Sequence, residues 1–159
     1  MTDWRPISPE RATALRSRFK EQSLPPAAAA ELKDNLERHF VAAVANWDSD
    51  EGVLSGILAS PELDRGTLGL IFWRACPNFY QQYAEREVPK YHVDTFRILR
   101  AARSRLIRRK WTSEDISYGP EDDGYTHTPP PHPRWPIDAA WIARSPGARF
   151  PDPHSLTQR

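Results

Sequence analysis

Apolar positions recur at helical spacing through the first two thirds of the chain and then lose their regularity. Ser8 and Pro9 form an N-cap residue followed by a proline at the first helical position, and Ala12, Leu15 and Phe19 continue at helical intervals. A second start, Ser23-Leu24-Pro25-Pro26, leads into AAAAELKDNLERHFVAAVAN. Its residues have high helix propensity, and Leu32, Leu36, Phe40 and Val44 fall at every fourth position, which predicts one amphipathic helix of about five turns. That helix is expected to stop near Asn46, because NWDSDEG is rich in turn and cap formers. Val53, Leu54, Ile57 and Leu58 mark a short third helix, capped by Asp48, Ser49 or Asp50 and ended at Ser60-Pro61.

The stretch PELDRGTLGLIFW, residues 61–73, opens the most apolar run in the sequence. Asp64 suits the free amides and positive end of a helix N-terminus. Gly66 and Gly69 bracket Thr67 and permit close backbone approach, while Leu68, Leu70, Ile71, Phe72 and Trp73 are apolar almost all round. That pattern describes a central buried helix with Asp64, Gly66, Thr67 and Trp73 in structural roles. A strand here has no second strand of similar strength to pair with. Pro77 ends or kinks the helix, and NFYQQYAERE predicts another short helical piece. From Tyr91 to Trp111, Val93, Phe96, Leu99, Ala102, Leu106 and Trp111 approximate one apolar stripe, with Arg97, Arg100, Arg105 and Arg108 mainly opposite. Arg103 falls near the stripe and is expected to be buried against a carboxylate such as Asp64 or Asp94.

Beyond Trp111 the helical period ends. Six of the sixteen prolines lie between Pro120 and Pro136, which favours extended polyproline conformation. Tyr118, Tyr125, Trp135 and Trp141 argue that this tail packs its aromatics over the helices, with a last short helix within 137–144. The expected fold class is therefore mostly α. Residues 1–111 form a compact multi-helix domain, and 112–159 are a proline- and aromatic-rich C-terminal extension of the same domain.

Charge adds a second pattern. The chain of 159 residues has a formal charge of +1, yet residues 1–96 carry a net −3, residues 97–110 carry +7 with no acidic residue, and residues 111–159 carry −3. The basic segment RILRAARSRLIRRKW attracts a nucleic-acid reading. Against it stand the acidic remainder of the chain and the carboxylates that follow directly, Glu114, Asp115, Glu121, Asp122 and Asp123, which are expected to pair with the arginines.

Other chemistry is sparse. One cysteine, Cys76, rules out an intrachain disulfide and a cysteine-based zinc site within one chain, and its place at the end of an apolar helix predicts a buried, inert thiol. NWDSDEG fails the calcium-loop spacing in both registers. His127 and His132 in THTPPPHP lack a carboxylate at metal-ligand spacing, and His39 reads as a partly buried polar residue. Nucleotide-binding glycine loops, zinc-protease and serine-hydrolase motifs are absent, so no metal, cofactor or catalytic residue is expected. No charged-then-apolar leader pattern and no run near the ~18–20 apolar residues of a membrane span occur, so the expectation is a soluble cytosolic protein with no membrane partner.

Asn46-Trp47-Asp48 with Asp50 and Gly52 close behind, followed by ILASPELDRGTLGLIFW, resembles a family of small uncharacterised bacterial domains of unknown function. The likeness spans roughly residues 35–86 and rests on Leu63, Asp64, Gly66, Thr67, Leu68, Ile71 and Phe72. It implies a compact helical unit, and some members sit in loci encoding toxins and immunity proteins. No catalytic residues carry over, and the arginine segment and the tail lie outside the pattern. The expected function is that of a protein-binding protein, most concretely an immunity protein that occludes a cognate toxin. Its binding residues would be Trp47, Asp48, Asp50, Glu51, Glu121, Asp122, Asp123 and Tyr125. The alternatives are a nucleic-acid-binding protein using residues 97–110 and an enzyme of a type its motifs do not reveal.

Overall fold

Ser8 caps the first helix as its sequence requires, its hydroxyl accepting the Arg11 N–H at 3.2 Å, and α1 (Pro9–Phe19) buries Ala12, Leu15 and Phe19. The computed structural model describes residues 7–20 and 23–157, so the expected domain limits at 1 and 159 lie outside the described residues.

The long second helix is divided. Pro26–Glu31 forms a 3-10 turn, the chain extends at Leu32, and Asp34 starts a new helix, α2 (Asn35–Val44), by accepting the Glu37 N–H at 2.9 Å. Tertiary packing overrides the propensity of the alanine run. The 3-10 turn lies flat against α3 (Glu51–Ala59), where Gly52 and Gly56 let it approach: a Cβ on Gly56 would stand 2.1 Å from the Pro26 carbonyl oxygen. Gly56→Ala is therefore expected to cost about 2–3 kcal/mol, read as a lower urea midpoint. Dividing the helix also turns the face of α2. Glu37, His39, Phe40, Val41, Ala42 and Ala43 are buried, whereas Leu36 and Val44 of the expected stripe are half-buried. Buried Glu37 takes two bonds from the Arg11 guanidinium, at 2.6 and 2.9 Å, and one from the Lys33 N–H. Burial alone would push its carboxyl pKa up, but these bonds outweigh that and hold it below the usual range.

Asp64 caps α4 (Arg65–Arg74) with its carboxylate on the Gly66 N–H at 2.7 Å. The helix is buried nearly all round, as its composition predicts, with Leu68, Ile71, Phe72 and Trp73 fully enclosed. Cys76, in left-handed conformation at φ 56°, links α4 to α5 (Pro77–Tyr80). This link turns the side chain away from the core, so Cys76 is exposed rather than buried. Two short 3-10 turns precede α6 (Val93–Ile107), which packs Phe96, Ile98, Leu99, Ala102 and Leu106 against α3 and α4. Val93 and Trp111, the ends of the expected stripe, stay outside this buried face.

The tail does pack on the helices. The Thr112 N–H donates to the Leu63 carbonyl at 2.9 Å and the Arg65 N–H to the Ser113 carbonyl at 3.0 Å, zipping the start of the tail onto the start of α4. Next, β1 (Ile116–Ser117) pairs in parallel with β2 (Ala148–Arg149). Between these strands, α7 (Ala139–Ile142) accepts the Trp73 indole N–H on the Trp141 carbonyl at 2.9 Å. Beyond β2 the chain reaches α1, where the Arg16 guanidinium donates to the Thr157 hydroxyl at 2.7 Å and to the His154 ring. The architecture is mostly α, a helical body girdled by an extended aromatic strap.

Candidate functional site

Arg74 organises the most polar region of the molecule. It ends an otherwise apolar helix, so burying its guanidinium requires a counter-charge from elsewhere in the chain. Asp123 supplies it with two parallel bonds of 2.9 and 2.8 Å, and the Ala43 carbonyl at the end of α2 accepts a third. Tyr118 donates its hydroxyl to Asp123 at 3.0 Å, and burial with the adjacent Asp123 charge drives its phenol pKa far above the usual range. Burial works against the Asp123 carboxylate, but the Arg74 bonds and charge hold its pKa below the usual range. The local signal was present in the sequence as a lone cation closing an apolar run, but nothing in the spacing named Asp123 as its partner.

The acidic 3-10 turn Pro120–Asp123 is thus clamped. Arg144 grips Asp122 through two bonds of 2.8 Å and reaches Glu121 at 2.6 Å, while Arg149 touches Asp122 at 3.2 Å. The Arg144 bond, ahead of the Gly119 N–H and the nearby charges, lowers the Asp122 pKa. These carboxylates do not pair with the arginines of α6, as their order in the sequence suggested. The tail folds back on itself, and its acids meet Arg74, Arg144 and Arg149 instead.

Between this turn, α2 and the strap lies a cleft of ≈ 360 Å³ lined by His39, Arg74, Tyr118, Asp122, Arg149, Phe150 and His154 among others. His39 forms its floor and is fully buried rather than partly so. Its Nδ1 lies 3.1 Å from the Thr67 hydroxyl, and the Phe150 ring covers it at 4.7 Å. Burial first, then the Arg74 charge, lower its pKa from 6.5 to about 3, so the ring is neutral at pH 7. The remaining structural assignments follow. Thr67 is buried on His39, Gly66 lies under the Ile116 carbonyl, and Trp73 is held by Trp141. Arg103 meets neither Asp64 nor Asp94. Its guanidinium lies over the Trp135 ring at 4.9 Å, because Asp64 faces Ser113 and Asp94 lies on the exposed first turn beside Arg97.

The residues singled out for partner binding fall into two groups. Asp50 is buried, with its carboxylate on the Asn46 N–H at 2.6 Å, so it fixes the turn before α3 instead of facing outward. Asp123 is half-buried and spent on Arg74 and Tyr118, and Asp122 has most of its acceptor positions filled. Tyr125 is half-buried against the core. Trp47, Asp48 and Glu51 remain on one short turn. Trp47 is half-buried with its indole N–H turned inward and without an acceptor, Asp48 is exposed, and among the described residues neither Asp48 nor Glu51 has an ion pair. Glu121 is the exposed corner of the second acidic turn. Elsewhere among the described residues, no group of three or more His, Cys, Asp and Glu is placed to hold a metal ion, and no helix is long and apolar enough to cross a membrane.

Nothing among curated proteins or solved structures matches the chain. A family match does exist, and it runs beyond the segment whose sequence resembled an uncharacterised family, continuing through α6 and its arginines. Residues 33–107, from α2 through α6, are similar to the family model described as a domain of unknown function (DUF4274).

Proposed function

We propose that the protein works by binding another protein, as a cytosolic immunity protein that occludes a cognate toxin. The observation that carries this reading is the turn before α3, where half-buried Trp47 stands beside two carboxylates, Asp48 and Glu51, that have no cation among the described residues. A tryptophan flanked by unpaired charges is the composition of an interface anchor for a basic partner. Preorganisation supports the same reading. Asp50 fixes the turn from inside, and Arg74 ties the end of α2 to the Pro120–Asp123 turn, so little ordering entropy is lost on docking. The resemblance to a family with members in toxin and immunity loci adds the class of partner.

Co-expression with a toxin encoded beside the gene is expected to yield a stable complex and to protect the host cell. If neighbouring-locus toxins give neither complex nor protection, the proposal fails.

A further inference from the structure

The arginines of α6 are not equivalent. Arg97 bonds Asp94 at 3.3 Å, Arg100 pairs with Glu85, and Arg103 covers Trp135. Arg105 spends its guanidinium on the carbonyls of Ser60 and Lys110, both at 2.8 Å, and of Leu58. Arg108, Arg109 and Lys110 have no side-chain bond or ion pair among the described residues. They form a compact cationic corner where α6 ends.

Three further features mark this corner. First, Arg109 has φ 52°, and the bonds Arg109 N–H to Leu106 and Lys110 N–H to Arg105 close the helix in the pattern that normally places glycine there. A non-glycine residue in that conformation costs about 1 kcal/mol, so a cation is kept where glycine would be more stable. Second, Trp111 is locked in place. The Arg65 guanidinium lies 5.5 Å over its ring and its indole N–H donates to Glu114 at 3.1 Å. Third, Trp111 borders two open clefts of ≈ 490 and ≈ 420 Å³, and beside it Ile107 is 55% exposed. A fixed tryptophan, an exposed aliphatic side chain and unpaired cations are what an interface core uses. Only three of the segment's cations are unspent among the described residues, and the exposed aliphatic Ile107 among them gives a phosphate backbone nothing to bind. The corner therefore fits an acidic peptide with an apolar side chain better than a nucleic acid.

We propose that this corner is a docking surface for an acidic peptide segment carrying one large apolar side chain. Its carboxylates meet Arg108, Arg109 and Lys110, and its apolar group lies against Trp111 and Ile107. The surface is separate from the Trp47 turn, so the two can succeed or fail independently.

Fluorescence anisotropy of the full chain tests this with a short labelled peptide of glutamates around a central Leu-Phe pair, a control with Ser-Ser at the centre, and a single-stranded oligouridine. Saturable binding of the Leu-Phe peptide is expected, weakening with salt and falling about tenfold in Arg109→Gly and again in Arg108→Glu. Arg109→Gly should at the same time keep or raise the melting temperature, which separates lost contact from lost fold. Absent binding, equal binding of the Ser-Ser control, tighter binding of the oligouridine, or an Arg109→Gly affinity equal to wild type each overturns the proposal.

Discussion

Asp64→Leu is expected to lower stability by about 3–5 kcal/mol, measured by urea unfolding at pH 7. The Asp64 side chain is 0% exposed, and it both caps α4 and joins that helix to the start of the tail. One carboxylate oxygen accepts the Gly66 N–H at 2.7 Å, and the other accepts the Ser113 hydroxyl and the Asp115 N–H, both at 2.7 Å. Leucine leaves those donors buried or half-buried without acceptors, at about 1–3 kcal/mol each, partly relieved where water can enter. Burial raises the Asp64 carboxyl pKa against the pull of these bonds, so the charge is held there at a cost. Asp64→Asn removes that cost but keeps only one acceptor oxygen, and its amide faces the Asp115 N–H. It should lose less, about 1–2 kcal/mol. Equal stabilities of wild type and Asp64→Leu would show that the tail is not anchored to α4 through this side chain.

The second large effect is on pH dependence. His39 has a folded pKa of about 3 against 6.5 for an ordinary histidine, so between those values the unfolded chain binds a proton that the native protein refuses. The stability that neutral His39 contributes is fully present above about pH 6.5 and declines as pH falls towards 3, with a slope of up to about 1.4 kcal/mol per pH unit. Arg74 deepens the depression, and Asp123 and Asp122 oppose it. Glu37, Asp122 and Asp123 have lowered pKa values, so their own losses fall at more acid pH. Asp64, whose pKa is raised, acts in the opposite direction but is common to wild type and variant, so the difference in slope between them from about pH 5 to 6.5 isolates the histidine. His39→Asn, which keeps a polar atom toward Thr67, should flatten the wild-type slope in that window even though its stability at pH 7 is lower. An unchanged slope would mean that His39 is not the buried neutral group.

The helices were legible where local chemistry decides them. Ser8-Pro9 starts α1, Ser60-Pro61 ends α3, and Asp64 before an all-round apolar run starts α4, each by a cap or a breaker acting within a few residues. The alanine run misled because its propensity competes with the glycine face of α3, a contact between segments. The same distinction divides the site. Asp64 could be read as a cap from its neighbours, whereas Ser113, 49 residues further on, could not be read as its partner. The tail acids were visible as charges, but their choice of Arg74, Arg144 and Arg149 over the richer supply on α6 depends on how the strap turns at Gly124 and returns through β2. Aromatic content did foretell that the strap would be packed, because Trp135 and Trp141 need apolar cover and their polar edges need partners.

The central claim is that the Trp47 turn is a binding surface, and calorimetric titration of a purified partner with the wild type and with the double variant Asp48→Lys, Glu51→Lys tests it most directly. Reversing both charges should weaken binding by at least about 100-fold while lowering the melting temperature by only about 2–6 °C, because neither carboxylate has an ion pair among the described residues and Glu51 contributes only its charge at the first turn of α3. A double variant that binds as tightly as the wild type would contradict the account.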